Sequence, residues 1–266
     1  MRTSIARALR VCLAVCSVVA CGAVAEAGVV RLESSAPSST PVITFSETTA
    51  NGQLVSYLKP NPAYSFSNVD QLGDITVQFG SRFVGQSYGA MANSLGDTSP
   101  SGPLTIDMAA APVGVVLEKW AGDKLVLGGM DMTKFKYFTT PIAMAFSKPV
   151  GWVSFDTGRF DHGQTTLIEA FGPTGVSLGT WWNTVADVEN FYLSETTGNR
   201  TIAGISIYVP SHGMDWEGFA IDNVRFGAVR TPDPPDGENV PEPSSALLLA
   251  GGLLCLVSRC RARRVS

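Results

Sequence analysis

The central part of the chain, residues 41–228, is a succession of short runs rich in β-branched and aromatic residues, each ended by Gly, Pro, Asn or Asp. Runs of this length, separated by turn residues at this spacing, are typical of β-sandwiches. In Ile202–Val209 the residues Ile205, Ile207 and Val209 alternate with smaller or polar ones, which gives a strand one apolar face. No long segment has a helical period. The clearest predicted strands are Val42–Phe45, Ile75–Phe79, Leu104–Met108, Gly114–Glu118, Ile142–Phe146, Val150–Asp156, Thr165–Ala170, Glu189–Leu193, Ile202–Val209 and Gly218–Phe226.

This pattern predicts an all-β domain in which two antiparallel sheets pack face to face, most simply as a jelly roll. The alternative is an immunoglobulin-like sandwich. The sequence lacks the Cys…Trp…Cys pattern of immunoglobulin domains, but this is only weak evidence against that fold because many such sandwiches lack the disulfide. The region Trp120–Thr140 is ambiguous, and within it Met130–Phe138 is compatible with either a helix turn or an exposed hairpin. In Gly218–Phe226 the alternation breaks at Asp222 and Asn223, which predicts a bulge or a turn in that strand.

The N-terminus predicts a signal peptide over residues 1–27. Arg2, Arg7 and Arg10 form a positively charged region, and the apolar stretch that follows ends at Ala25-Glu26-Ala27, an A-x-A cleavage site. The alternative is a lipoprotein signal, with lipidation at Cys21. Residues 28–40 then form a predicted Ser/Pro-rich leader, and residues 229–240 a Pro/Asp-rich linker that has little to bury.

The C-terminus, residues 241–266, has three parts. It begins with Pro241-Glu242-Pro243 and continues with an apolar run from 244 to 258. This run predicts a short hydrophobic helix, and the apolar stretch of the signal peptide predicts another at the N-terminus. At 1.5 Å per residue this run reaches about 22 Å, short of the ~30 Å hydrocarbon core of a bilayer. The positive-inside rule keeps a basic tail cytoplasmic. The basic residues of the tail are Arg259, Arg261, Arg263 and Arg264.

This arrangement resembles the PEP-CTERM sorting signal of bacteria that make exopolysaccharide. The resemblance implies a protein that is exported, held at least transiently in the inner membrane by its C-terminal helix, and cut by an exosortase-type enzyme. The domain also resembles a recurring PEP-CTERM secreted domain, and its Ile-Asp-Asn-Val strand is similar to the closing strand of jelly-roll carbohydrate-binding modules. The matching stretches are Ile43–Glu47, Val77–Gly80, Phe83–Gln86, Pro149–Asp156 and Gly218–Phe226.

Charge and cysteine content restrict the partners of the domain. All five cysteines lie in the two terminal segments, so residues 28–240 contain none and need no disulfide. The same span has 12 Lys and Arg against 21 Asp and Glu, hence 12 − 21 = −9 with His neutral. Such a domain is repelled by nucleic acid, which excludes nucleic-acid binding as its function.

One candidate site is a structural calcium ion. The resemblance to jelly-roll modules implies Ca²⁺ between the first and last strands, where Glu47 and Asp222 would supply carboxylates. Backbone carbonyls could complete the six to eight oxygens that calcium needs. The alternative is that Asp222 and Asn223 only hydrogen-bond local backbone in a bulge.

A second candidate site is a glycan-binding platform, on which sugar C–H faces stack against aromatic rings. Trp181 and Trp182 are adjacent in a predicted extended segment, so one ring points inward and the other outward. The alternative is that these rings fill the core, as most aromatic residues of a sandwich do. The residues of the predicted platform are Trp181, Trp182, Asn183, Tyr192 and Trp216.

Catalysis is the least supported function. The chain has two histidines and carries no G-x-S-x-G, H-E-x-x-H or paired-Cys motif. In a strand, Asp215 and Glu217 would share one face at a spacing compatible with a glycosidase pair, but solvated loop acids explain them much better. We therefore expect a non-enzymatic protein of the cell envelope or extracellular matrix with a structural or adhesive role, or a module that binds exopolysaccharide.

Overall fold

The computed structural model describes most of the central part of the chain and neither terminus. All described residues belong to the first of two compact units, Met1–Arg230. The predicted terminal helices, the sorting motif and the linker therefore lie outside the described residues. Within the described residues, no helix is long and apolar enough to cross a membrane. The described ranges are 28–33, 36–37, 40–46, 60–90, 94–96, 99–118, 124–131, 136–137, 140–210 and 218–228.

The described structure is all-β and contains fifteen strands. In chain order they are β1 (Val29–Arg31), β2 (Val42–Ile43), β3 (Ala63–Val69), β4 (Gly73–Gly80), β5 (Ser94–Leu95), β6 (Val113–Glu118), β7 (Lys124–Asp131), β8 (Lys136–Tyr137), β9 (Ile142–Val150), β10 (Trp152–Phe160), β11 (Leu167–Phe171), β12 (Ser177–Trp182), β13 (Asp187–Glu195), β14 (Ile202–Pro210) and β15 (Ala220–Gly227).

The strands form two sheets. The first sheet has eight strands in the order β1-β13-β10-β15-β7-β6, with β2 beside β15 and β8 beside β7. The second sheet has seven strands in the order β12-β11-β14-β9-β4-β3, with β5 beside β14. All neighbours run antiparallel except β5, which pairs with β14 in parallel.

The strand order is that of a jelly roll. The first sheet contains the path β2-β15-β10-β13, and the second contains β9-β14-β11-β12. If these eight strands, β2 and β9 to β15, are numbered 1 to 8 in chain order, the first sheet has the order 1-8-3-6 and the second has the order 2-7-4-5. These are the strand orders that the two Greek keys of a jelly roll produce. The strands from β3 to β8 are inserted after the first of the eight and widen both sheets. The predicted jelly-roll sandwich is thus confirmed.

The main core lies between the two sheets and is rich in aromatic residues. The ring of Phe226 from the first sheet lies 5.4 Å from that of Phe66 and 5.5 Å from that of Phe146, both in the second. Phe45 packs edge-on against Tyr64 and Phe79. Burying one such ring contributes about 2–3 kcal/mol, so these contacts hold the sheets together without a disulfide.

Several local predictions are confirmed. Between Ser154 and Asp156 the pairing of β10 with β15 shifts register, so Asn223 and Val224 lie opposite a single residue. This is a bulge, as the broken alternation of the sequence predicts. Within Met130–Phe138, Met130 pairs with Tyr137 and Asp131 pairs with Lys136, which joins β7 and β8 as antiparallel strands. This segment is therefore a hairpin, and β7 also pairs antiparallel with β6.

Other local predictions differ from the structure. The predicted strand Leu104–Met108 makes only an isolated bridge from Ile106 to Phe83. Strands β3 and β12 were missed because each exposes polar residues instead of showing strict apolar alternation. Part of the predicted leader, Val29–Arg31, pairs with β13 as an edge strand, and its Val29 is buried.

Candidate functional site

A cavity of about 430 Å³ lies on the outer face of the first sheet, the face directed away from the main core. Strands β7, β10, β13 and β15 all contribute to it. Phe155 and Ile221, which precede Asp156 and Asp222 in their strands, belong to the main core. Successive side chains of a strand point to opposite faces, so Asp156 and Asp222 point outward. The lining residues are Lys124, Val126, Asp156, Thr157, Gly158, Arg159, Asp187, Val188, Ala220, Ile221, Asp222 and Asn223.

Apolar side chains form part of the cavity wall. Val126 and Ala220 are buried in a small cluster with Val116, separate from the main core. Val188, on the neighbouring strand β13, is 66% exposed although it is aliphatic. The cavity therefore combines an apolar surface with carboxylates and two cationic side chains, Lys124 and Arg159, and so offers both packing and hydrogen bonding to a ligand.

Two carboxylates of the cavity lie opposite one another on neighbouring strands. Asp156 on β10 is the direct cross-strand partner of Asp222 on β15. Like charges directly opposite one another in a sheet are destabilising. The amide nitrogen of Asn223 donates to Asp156 Oδ2 at 2.7 Å, and that of Asn190 donates to Asp156 Oδ1 at 2.8 Å. These amide hydrogen bonds hold the carboxylate of Asp156 in place as an acceptor.

Unusual backbone conformations cluster around the same cavity. Arg159, Asp187 and Asn223 all have positive φ angles, of 68°, 70° and 53° respectively. All three line the cavity. Such conformations cost on the order of 1–2 kcal/mol for residues other than glycine and persist only where the surrounding structure imposes them. Their concentration here is a property typical of binding sites.

The predicted calcium ligands are only partly visible. Asp222 lines the cavity, whereas Glu47 lies outside the described residues. Among the described residues, no group of three or more His, Cys, Asp or Glu side chains could hold a metal ion. The carboxylate that the structure does bring to Asp222 is that of Asp156, the last residue of the predicted strand Val150–Asp156. The calcium site stays a prediction.

The described residues of the predicted glycan platform lie on both sheets and differ in exposure. Trp181 and Trp182 lie on β12 of the second sheet, where Trp181 packs against the core and Trp182 is 44% exposed. Tyr192 lies on β13 of the first sheet and is buried, with its ring 5.5 Å from that of Trp152. Trp216 lies outside the described residues. Of the described rings of the platform, that of Trp182 is the most exposed, that of Trp181 is partly buried and that of Tyr192 is buried.

Asn183 is a structural residue. It is fully buried, and its side-chain oxygen accepts from the backbone N–H groups of Thr165 and Thr166, each at 2.9 Å. Its side-chain nitrogen donates to the carbonyl oxygens of His162 at 2.6 Å and Val185 at 3.0 Å. The four hydrogen bonds of the amide are thus used in joining two loops, and glycan binding by Asn183 stays a prediction.

Beside Trp182, a buried ion pair closes one edge of the sandwich. The guanidinium of Arg31 on β1 lies 2.5 Å from the carboxylate of Glu189 and 4.1 Å from the ring centre of Phe191. The backbone N–H and hydroxyl of Thr184 donate to the same carboxylate, each at 2.7 Å. Burial raises the pKa of Glu189, but the hydrogen bonds from Thr184 and Arg31 outweigh it and hold that pKa below its ordinary value.

The C-terminus carries a feature shared with a known family. Residues 239–264 match the model of the PEP-CTERM protein-sorting motif. This motif contains the predicted Pro241-Glu242-Pro243 and the basic tail, so the resemblance drawn from the sequence is confirmed. It marks an exported protein that is anchored transiently in the membrane and processed by exosortase-type machinery. A comparison with curated proteins finds no match for the chain.

Proposed function

We propose that the protein is an adhesive component of the cell envelope or extracellular matrix, and that it adheres by binding an extracellular polysaccharide in the cavity of the first sheet. The observation that carries this proposal is the cavity itself, with its apolar wall and its facing pair of carboxylates. The PEP-CTERM motif supports it because the motif delivers the domain to the outside of the cell, where such polymers lie.

The size and chemistry of the cavity suit a sugar ligand. Small-molecule sites usually enclose about 300–1,000 Å³, and the cavity falls within that range. A sugar presents C–H faces, which would pack on Val126, Val188 and Ala220. Its hydroxyl groups both donate and accept, so they would donate to Asp156 and Asp222 and accept from Lys124.

Binding fits these residues better than hydrolysis does. A glycosidase needs one carboxylic acid that gives up a proton and a second carboxylate that acts as nucleophile or base. Both oxygens of Asp156 accept hydrogen bonds from amide groups, so these bonds already hold the carboxylate in place as a hydrogen-bond acceptor. The facing carboxylates would therefore hold sugar hydroxyls instead of protonating a glycosidic oxygen.

Affinity electrophoresis and calorimetry with purified neutral and acidic bacterial exopolysaccharides test the proposal. The substitution Val188→Trp places a bulky ring in the cavity at an exposed position, so it should weaken binding about tenfold or more while leaving the core intact. Val185→Trp is the matched control, because Val185 is also exposed and does not line the cavity.

A third variant separates the cavity from the predicted aromatic platform. Trp182→Ala removes the accessible ring of β12 and should leave affinity unchanged if the cavity binds the polymer. Loss of binding in Trp182→Ala with normal binding in Val188→Trp would instead place the site on β12. Absence of retardation of the wild-type protein by every polymer would refute polysaccharide binding.

A further inference from the structure

The first strand begins directly after the predicted signal-peptide cleavage site and is held firmly to the first sheet. Val29 lies opposite Glu195 on β13. The carbonyl oxygen of Gly28 accepts from both the backbone N–H and the hydroxyl of Thr196, at 3.1 and 2.9 Å. The backbone of Gly28 is therefore anchored next to Glu195 even though Gly28 precedes the strand.

The Glu195 carboxylate is buried and only half satisfied. The residue is 4% exposed. Its Oε1 accepts from the backbone N–H of Thr197 at 2.7 Å and also from the Thr197 hydroxyl. Its Oε2 is buried and has no hydrogen-bond partner within the part of the chain that the structure describes. A buried carboxylate oxygen without a donor destabilises the folded state, so a cationic donor would stabilise the fold here.

The cation on β1 is already engaged elsewhere. Arg31, two positions beyond Val29, binds Glu189 and lies over the ring of Phe191. Arg31 is therefore not the partner of Glu195 Oε2, and the segment that precedes Val29 is the neighbouring part of the chain that could supply a second cation.

Signal-peptide cleavage would create such a charge. Hydrolysis of the Ala27–Gly28 bond consumes one water: Ala27 leaves as a carboxylate, and the nitrogen of Gly28 takes up a proton to become an α-ammonium group. A neutral amide with one N–H thereby becomes a cation with three donors, on the residue that faces Thr196. We propose that the α-ammonium group of Gly28 is the partner of Glu195 Oε2, and that cleavage after Ala27 completes this edge of the sandwich.

The inference does not rest on the proposed function. It also distinguishes the two interpretations of the N-terminus, a signal peptide that is cut after Ala27 and a lipoprotein signal with lipidation at Cys21. Cleavage after Ala27 leaves a free amino group at Gly28, whereas lipidation at Cys21 would leave Gly28 as an internal peptide unit. Mass spectrometry of the exported protein should therefore find an unmodified chain that begins at Gly28. A lipid on Cys21, or a chain that begins at another residue, would overturn the proposal.

Stability measurements on the processed protein test the ion pair itself. Selective acetylation of the Gly28 amino group removes its charge, and in the wild-type protein this should lower the melting temperature by several degrees, on the order of 2–8 °C. In Glu195→Gln the same acetylation should change it by less than about 1 °C, because the carboxylate is gone. Glu33→Gln is the matched control: Glu33 is an exposed acid of the same segment, so acetylation should have the full wild-type effect there.

Equal melting temperatures for the free and acetylated wild-type proteins would contradict the ion pair. That comparison needs no substitution at Glu195, so it decides the matter even if Glu195→Gln fails to fold. Equal effects of acetylation in the wild type and in Glu195→Gln would contradict it as well, because the charge would then act through another group.

Discussion

Replacing Asn183 by alanine should destabilise the protein strongly, although the sequence suggests that this residue binds glycan. The buried amide makes four hydrogen bonds, which join the loop around His162 to the loop around Val185. At about 0.5–1.5 kcal/mol net for each bond, the loss amounts to about 2–6 kcal/mol. Whole domains are stable by only about 5–15 kcal/mol, so Asn183→Ala should lose a large share of the total.

Urea unfolding at 25 °C, followed by tryptophan fluorescence, measures this loss as a lower midpoint with an unchanged slope. Asn199→Ala is the matched control, because Asn199 is exposed and its side chain donates to the hydroxyl of Thr197, so its loss should cost less than about 0.5 kcal/mol. Asn183→Asp should also destabilise, since it keeps the acceptor but places a carboxylate oxygen against the carbonyls of His162 and Val185.

The reasoning would be refuted if Asn183→Ala unfolded at the wild-type urea concentration. Normal stability combined with loss of polysaccharide binding would return Asn183 to the role that the sequence suggests. A fall in stability with binding retained below the unfolding transition would confirm the structural role.

Two further predictions concern the ion pair and the strained backbone. Because the folded-state pKa of Glu189 lies below its ordinary value of about 4.5, its stabilisation is fully present above about pH 5 and is lost as the pH falls through the folded pKa. Urea midpoints measured between pH 7 and pH 3 should therefore fall less steeply for Glu189→Gln than for the wild type, and parallel curves would contradict this. At Arg159, whose φ is 68°, Arg159→Gly should be about 1 kcal/mol more stable than Arg159→Ala, since both lose the side chain and only alanine retains the strain. Equal urea midpoints for these two variants would show that the backbone is unstrained.

The sequence predicts those parts of the fold in which apolar residues alternate along a strand. Strand β14 is an example, because its inward residues are all apolar and the 3.3 Å rise of a strand places them on one face. Strand β12 was missed because it lies at the edge of the second sheet, where few of its residues are buried. Edge strands of this kind carry little apolar periodicity, so single-sequence patterns do not reveal them.

The candidate site was predictable only in part, for a related reason. The sequence indicated a bulge at Asp222 and Asn223, because a break in alternation is a local signal. It did not indicate that Asp156 lies opposite Asp222, because the two residues are far apart in the sequence. The hydrogen bond between Asp156 and Asn223, the residue after Asp222, joins positions that are 67 residues apart. Cross-strand neighbours depend on register and strand order, which arise only when the sheets assemble.

The sequence by itself determined the all-β class, the absence of cysteine from the domain and the C-terminal sorting motif, because each is carried by local pattern or composition. The tertiary structure alone decided which polar residues hold the fold and which are available to a ligand. Asn183 is buried while its neighbour Trp182 is exposed, and Asp222 shares a cavity with Asp156. Those differences follow from the packing of two sheets, which brings distant residues together and sets the burial of each one.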